Sequence, residues 1–176
     1  MTEQLDTQAV NAHVVNPDVV DGTWLDAAEL AAWRAFIVLQ RRLMAELGRL
    51  LQAESDLSPA EYEVLVNLSE SPGDSLRIFE LAARLEWERS RLSHQLTRME
   101  RRGLVCRGGC PDDRRGALIS LTPAGRQAIE AAAPGHVAAV RRLFIDPVGA
   151  QDLATLVALS GRVAGKLPLS RATPPC

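Results

Sequence analysis

Ile78-Phe-Glu-Leu-Ala-Ala-Arg-Leu85 is followed by Glu86-Trp87 and then by Glu88-Arg-Ser-Arg-Leu-Ser-His-Gln-Leu-Thr-Arg-Met-Glu-Arg-Arg102 before Gly103. The first piece is a short amphipathic helix and the last is a longer, more polar one, with little between them. Two short helices joined so briefly make a helix-turn-helix candidate. At about 100° per residue, Leu92, Leu96 and Met99 share one side of the second helix and are expected to pack inward. Near the opposite pole lie Ser90, His94, Thr97 and Arg101, with Ser93 on one flank and Arg91 and Arg98 on the other. Hydroxyls, an imidazole and guanidiniums can hydrogen-bond base edges and phosphates, although a polar outer face is also what any solvated surface helix carries. Gly103 is well placed to stop the helix at its C′ position.

Downstream, Leu104-Val-Cys-Arg107 and Ala117-Leu-Ile-Ser-Leu121 read as two strands separated by the polar, Gly- and Arg-rich loop 108–116. Helix, helix, two-stranded hairpin is the order of a winged helix-turn-helix. Upstream, Ser58-Pro-Ala-Glu61 is a capping box with Pro at N1, opening a helix that carries Tyr62, Leu65, Val66 and Leu68 and ends at Ser71-Pro-Gly-Asp74. Thr122-Pro123 caps a further helix running to about Ile145, with a kink expected at Pro134-Gly135. Asp146-Pro147 is read as the break before a last amphipathic helix with Leu153, Leu156, Val157 and Val163.

At the other end, Asp26-Ala-Ala-Glu29 is another capping box, opening a helix of about seven turns. Leu30, Trp33, Ile37, Met44, Leu47 and Leu51 form its apolar stripe, and a helix this long at the start of a small domain is expected to pack on a partner subunit. The expected divisions are a flexible arm over 1–22, a long helix over 23–55, a winged region over 57–123, C-terminal helices over 124–167 and a loose tail over 168–176. The fold class expected is mainly α with a small β-hairpin wing.

The chain has 176 residues, 47% hydrophobic and 24% charged, which suits one globular domain with an added arm. No apolar run approaches the roughly eighteen residues of a spanning helix, and the acidic start lacks a signal-peptide pattern, so no membrane and a cytoplasmic location are expected. Three cysteines do not make a disulfide framework. The net charge of -2 by itself disfavours nucleic acid, yet it conceals a gradient. Between Arg77 and Arg126 eleven Arg face six acids, while the rest of the chain holds nine basic residues and sixteen acids. That concentration is what steers a protein toward phosphate. No hydrolase, zinc-protease, P-loop or dinucleotide motif appears, and His13, His94 and His136 lie far apart, so no enzyme and no cofactor are expected. Cys106 and Cys110 with one His would be an incomplete zinc set, so no metal is expected.

Leu57-Ser-Pro-Ala-Glu-Tyr62, Leu81-Ala-Ala-Arg-Leu85, Ser90-Arg-Leu-Ser-His94, Leu96-Thr-Arg-Met-Glu-Arg-Arg-Gly-Leu-Val105, Pro111-Asp-Asp-Arg-Arg115 and Leu121-Thr-Pro-Ala-Gly125 occur in order. Together they resemble the multiple-antibiotic-resistance regulator (MarR) family of winged-helix transcription factors, over nearly everything after the arm. The resemblance implies a DNA-binding regulator, homodimeric through both ends of the chain, acting as a repressor on an imperfect palindrome in double-stranded DNA. It implies a recognition helix over about 88–102 and a wing in which Arg114 probes the minor groove while Asp113 and Arg115 brace it or touch phosphate. Cys110 departs from the family, which often has an acidic residue there.

The resemblance also implies control by a small aromatic or phenolic effector, for which Trp24, Trp33, Arg34, Tyr62 and His136 are the residues to inspect, each of which also has a plain structural reading. Redox sensing through Cys106 and Cys110 is an alternative, since nearby Arg side chains lower a thiol pKa. A winged helix used only for protein contacts is the alternative of another class.

Overall fold

Both capping boxes form. Asp26 accepts from the Glu29 amide at 2.8 Å while Glu29 accepts from the Asp26 amide at 2.9 Å, and the helix α1 that follows is Ala27–Ser55. Ser58 and Glu61 cap one another reciprocally at the start of α2, Pro59–Ser69. The fold is that of a computed structural model describing residues 24–108 and 117–167. It divides into two compact units, one ending at Ala45 and one beginning at Glu46.

In the first unit, α1 carries apolar side chains left uncovered among the described residues, with Trp33, Phe36, Leu39 and Met44 each more than half exposed. The stripe read from the sequence is therefore present, but Trp33 is not part of a core in the single chain.

In the second unit, a three-residue strand β1, Ser75–Arg77, follows a turn at Pro72–Asp74. Next come α3, Ile78–Leu85, and α4, Arg89–Arg101. Strands β2, Val105–Gly108, and β3, Leu118–Leu121, complete a three-stranded antiparallel sheet in the order β1-β3-β2. The expected hairpin of β2 and β3 is present, and β1 adds a third strand to it. Three residues are too few to display alternation in the sequence, and β1 exists because Leu76 pairs with Ile119 at the centre of β3. Val105 is paired with Leu121, and Leu76, Val105 and Ile119 are all buried on the same side.

That buried side meets Leu57, Val64, Leu65, Leu68, Leu81, Leu92, Leu96 and Met99 in one cluster, joined by Ile129 and Ala132. Leu92, Leu96 and Met99 are fully buried, and each contributes on the order of 1.5–3 kcal/mol. These anchors decide which side of α4 is left outward.

Thr122 starts α5, Pro123–Val140, by accepting from the Gly125 amide at 3.0 Å, and Gly125 is required because a Cβ there would overlap the Leu104 carbonyl. Pro134 lies inside α5, which continues into a π-helical turn at Arg141–Ile145 and the short α6, Asp146–Val148. The break before α7, Ala150–Ala164, is thus not at Asp146-Pro147 as expected. It is at Gly149, whose φ of 76° and ψ of 158° suit glycine alone, whereas Pro147 is accommodated in a first helical turn. No residue of α7 is buried in the chain.

Candidate nucleic-acid interface

Left-handed residues place α4. Glu86, with φ 52° and ψ 34°, ends α3 in a Schellman arrangement in which the Trp87 amide donates to the Ala82 carbonyl at 3.0 Å and the Glu86 amide to Ala83 at 3.2 Å. Gly103, with φ 71°, does the same for α4, the Leu104 amide donating to Met99 at 3.0 Å. Between these fixed ends the helix can only turn its apolar side into the core, and Ser90, Arg91, His94, Arg98 and Arg101 are exposed on the other.

Ser93 and Thr97 are half-buried and face β2 instead. The Thr97 hydroxyl donates to the Ser93 carbonyl at 3.0 Å, and Arg107 of β2 donates to both, at 3.1 Å to the Ser93 carbonyl and 3.3 Å to the Thr97 hydroxyl. Arg107 Nε also lies 3.0 Å from the Glu100 carboxylate. This one guanidinium ties the base of the wing to the helix and neutralises the acid within the exposed stretch of α4. Wheel arithmetic places Thr97 outward because it knows the helix axis but not the neighbouring strand.

The remaining cations are held in different ways. Arg102 Nη1 lies 2.8 Å from Glu61 and Nη2 3.1 Å from Asp56, fastening the end of α4 to the start of α2. Burial opposes the Glu61 charge, but bonds from the Ser58 amide and hydroxyl and from Arg102 outweigh it and hold the carboxyl below its ordinary pKa. Arg98 donates to Gln95, a buried amide that the sequence reading missed. Arg126 pairs with Asp74, which keeps β1 against the start of α5. Arg91 stacks on Trp87, its guanidinium carbon 4.2 Å from the ring centroid. Arg101 and His94 have no side-chain partner among the described residues.

Of the expected wing residues, Asp113, Arg114 and Arg115 lie outside the described residues, as does Cys110. Cys106 is exposed on β2, with its sulfur 3.8 Å from the Ser120 carbonyl. Of the expected effector residues, Tyr62 and His136 are brought together, ring centroids 4.4 Å apart and tilted by 42°. Burial lowers the His136 pKa and raises that of Tyr62, and His136 Nδ1 is a buried polar atom without a hydrogen-bond partner among the described residues. Trp24, Trp33 and Arg34 belong to the first unit, where Trp33 lies 6.0 Å from Phe36. Among the described residues no cluster of three His, Cys, Asp or Glu could hold a metal ion, and no single helix is long and apolar enough to cross a membrane.

Comparison with known proteins places this arrangement. A family model described as the MarR family matches residues 55–116. Transcriptional regulator HosA of Escherichia coli O111:H- is 30% identical over 102 residues, spanning 57% of this chain and 73% of the relative. AbsC, a MarR family transcriptional regulator from Streptomyces coelicolor, is 44% identical, with a TM-score of 0.77 over 81% of this chain and 95% of its own. Sco3205, a MarR family regulator of the same organism solved in complex with DNA, is 38% identical, with a TM-score of 0.79 over 84% of this chain and 97% of its own.

Proposed function

Because this chain belongs to the MarR family of transcriptional regulators, we propose that it is a homodimeric, sequence-specific binder of double-stranded DNA that represses by occluding a promoter. The observation that carries the reading is the exposed face of α4, where Ser90, Arg91, His94, Arg98 and Arg101 stand opposite three fully buried anchors. The DNA complex of Sco3205 supports it.

In this reading α4 enters the major groove. Ser90, Arg91 and His94 in its N-terminal half reach base edges, and Arg98 and Arg101 reach phosphates. Arg114 enters the minor groove and Asp113 and Arg115 brace the wing. Ser93 and Thr97 serve the interface through Arg107, by keeping wing and helix in one body.

Dimerisation is supported by apolar surface that no other described residue of the chain covers. Trp33, Phe36, Leu39 and Met44 of α1 are exposed, and so are Val157, Leu159 and Val163 of α7, a helix with no buried residue among those described. Faces of this kind are expected to be covered in the working molecule. Two recognition helices then enter successive major grooves about ten base pairs apart, which requires an imperfect palindrome. Such a regulator works in the cytoplasm, where the DNA is.

Release by a small aromatic or phenolic compound is the second element. It rests on the Tyr62–His136 pair, which joins α2 to α5 and leaves His136 Nδ1 buried and, among the described residues, unpartnered. A phenol or carboxylic acid would supply a hydrogen bond to that nitrogen. The test is a gel shift with the DNA upstream of the chain's own gene at two salt concentrations, repeated with a panel of phenolic and aromatic acids. Salt-sensitive retardation relieved by a panel member agrees with the reading, and no retardation at low salt refutes it.

A further inference from the structure

Trp87 stands at the turn of the helix-turn-helix, and nothing in the DNA-binding reading above uses it. Its backbone is fixed by the left-handed Glu86 and by the hydrogen bond its own N–H donates to the Ala82 carbonyl. Its half-buried ring packs against the hydrophobic cluster. The guanidinium of Arg91, four residues on, lies over the outer face of that ring, 4.2 Å from the centroid. Arg91 is exposed and, among the described residues, has no carboxylate partner, in contrast to Arg102, Arg107 and Arg126. Its charge is therefore left available while its position is restricted.

A guanidinium stacked on an aromatic ring uses its face and leaves the N–H groups of its edge free. Those N–H groups form a planar fork that matches the O6 and N7 acceptors of guanine in the major groove. Adenine offers N7 beside an N6 amino donor, which the fork cannot accept, so a prepositioned Arg discriminates between the two purines. Immobilising a rotamer-rich side chain opposes binding, and a side chain already stacked loses less freedom when it meets the base. Arg91 is in the first turn of α4, the end of a recognition helix that reaches furthest toward base edges.

We infer that Trp87 is a positioning residue that holds Arg91 to read a guanine at one position of each operator half-site, and so sets the sequence specificity of the protein. The inference rests on the DNA-binding reading above. Its test selects DNA from a library randomised across the half-site with the full-length parent, Trp87→Leu, Trp87→Phe and Arg91→Lys, and sequences the bound fraction.

The parent is expected to enrich guanine at one position. Arg91→Lys keeps the charge but loses the fork, and lowers that preference about tenfold or more with other positions unchanged. Trp87→Leu lowers it about three- to tenfold at the same position, and Trp87→Phe, with a weaker aromatic face, about twofold. Equal loss in the Leu and Phe variants overturns the inference, because packing rather than the cation–π contact would then be responsible. A uniform loss across all positions in Arg91→Lys also overturns it, by making Arg91 a phosphate contact. If Trp87→Leu does not fold, Trp87→Phe decides: a change confined to that position supports the inference and an unchanged preference overturns it. A parent with no sequence preference refutes the DNA-binding reading itself, whereas a parent whose preference both Trp87 variants retain refutes only the role of Trp87.

Discussion

Replacing Arg102 by Met should loosen the end of the recognition helix by an amount the contacts allow to be worked out. Glu61 is 6% exposed, and its two carboxylate oxygens are not equally served. Oε2 accepts from the Ser58 amide at 2.9 Å and the Ser58 hydroxyl at 2.8 Å, while Oε1 accepts from Arg102 at 2.8 Å. Losing Arg102 strips Oε1 of its charged donor, for which about 1.5–3 kcal/mol is typical. Met retains most of the aliphatic stem, so packing changes little. The other two contacts, from Nη2 to the Asp56 carbonyl and to an Asp56 carboxylate that is 87% exposed, lie in solvent and together add no more than about 0.5 kcal/mol. The sum is about 2 kcal/mol, a fall in Tm of roughly 4–8 °C for a chain of this size.

The pH dependence follows from the depressed Glu61 pKa. A carboxyl lowered in the folded state contributes stability above its unfolded pKa and loses it as pH falls through the folded value. Without Arg102 the Glu61 pKa rises, so the gap between parent and variant should be full at pH ~7 and close as the carboxyl protonates below about pH 4. Thermal melts followed by circular dichroism at both pH values, with Glu61→Gln as the second arm of a double-mutant cycle, measure this coupling. A loss below about 0.5 kcal/mol at neutral pH, or the same loss in the Glu61→Gln background, refutes the reasoning.

Gly125→Ala should destabilise by about 1–3 kcal/mol although Ala is the better helix former, because the new Cβ meets the Leu104 carbonyl, a backbone group also held by the Thr122 hydroxyl; denaturant melts check it. Glu86→Gly should raise stability by about 0.5–1 kcal/mol by removing the strain of a left-handed non-glycine residue, and an unchanged or lower Tm counts against that account. Arg107→Gln should weaken operator binding while costing less than about 1 kcal/mol of stability, since the Arg107–Glu100 pair is about one-third exposed on each side. Adding Glu100→Gln to that variant should recover part of the affinity by removing the acid Arg107 had neutralised, and a double variant no tighter than the single one would exclude this.

How much of this was legible in the sequence depends on the range of the interaction. The capping boxes at Asp26 and Ser58, the span of α3 and the stop at Gly103 are set by residues within four positions of one another, and the structure has them where the residues predict. The burial of Leu92, Leu96 and Met99 follows from helical period alone. Strand β1 was not legible, because Leu76 is defined by its pairing with Ile119 far along the chain. The reach of Arg107 to Ser93, and of Arg102 to Glu61, likewise depends on which elements become neighbours. Gly149 was legible in principle, but the nearby Asp146-Pro147 gave the stronger turn signal and Pro is tolerated in a first helical turn. The Trp87–Arg91 contact has a spacing of four that could have been noticed, yet Trp87 precedes the helix, and the Schellman turn aims its ring.

The central claim is that the Arg-rich face of α4 and the wing bind DNA. The most direct test is the affinity of the purified chain for its upstream DNA, measured by fluorescence anisotropy between about 50 and 200 mM salt against a scrambled duplex. The chain should prefer the upstream sequence, with affinity falling at least about a hundredfold across that range as phosphate contacts release counterions. Affinity that is equal for both duplexes and flat with salt would contradict it.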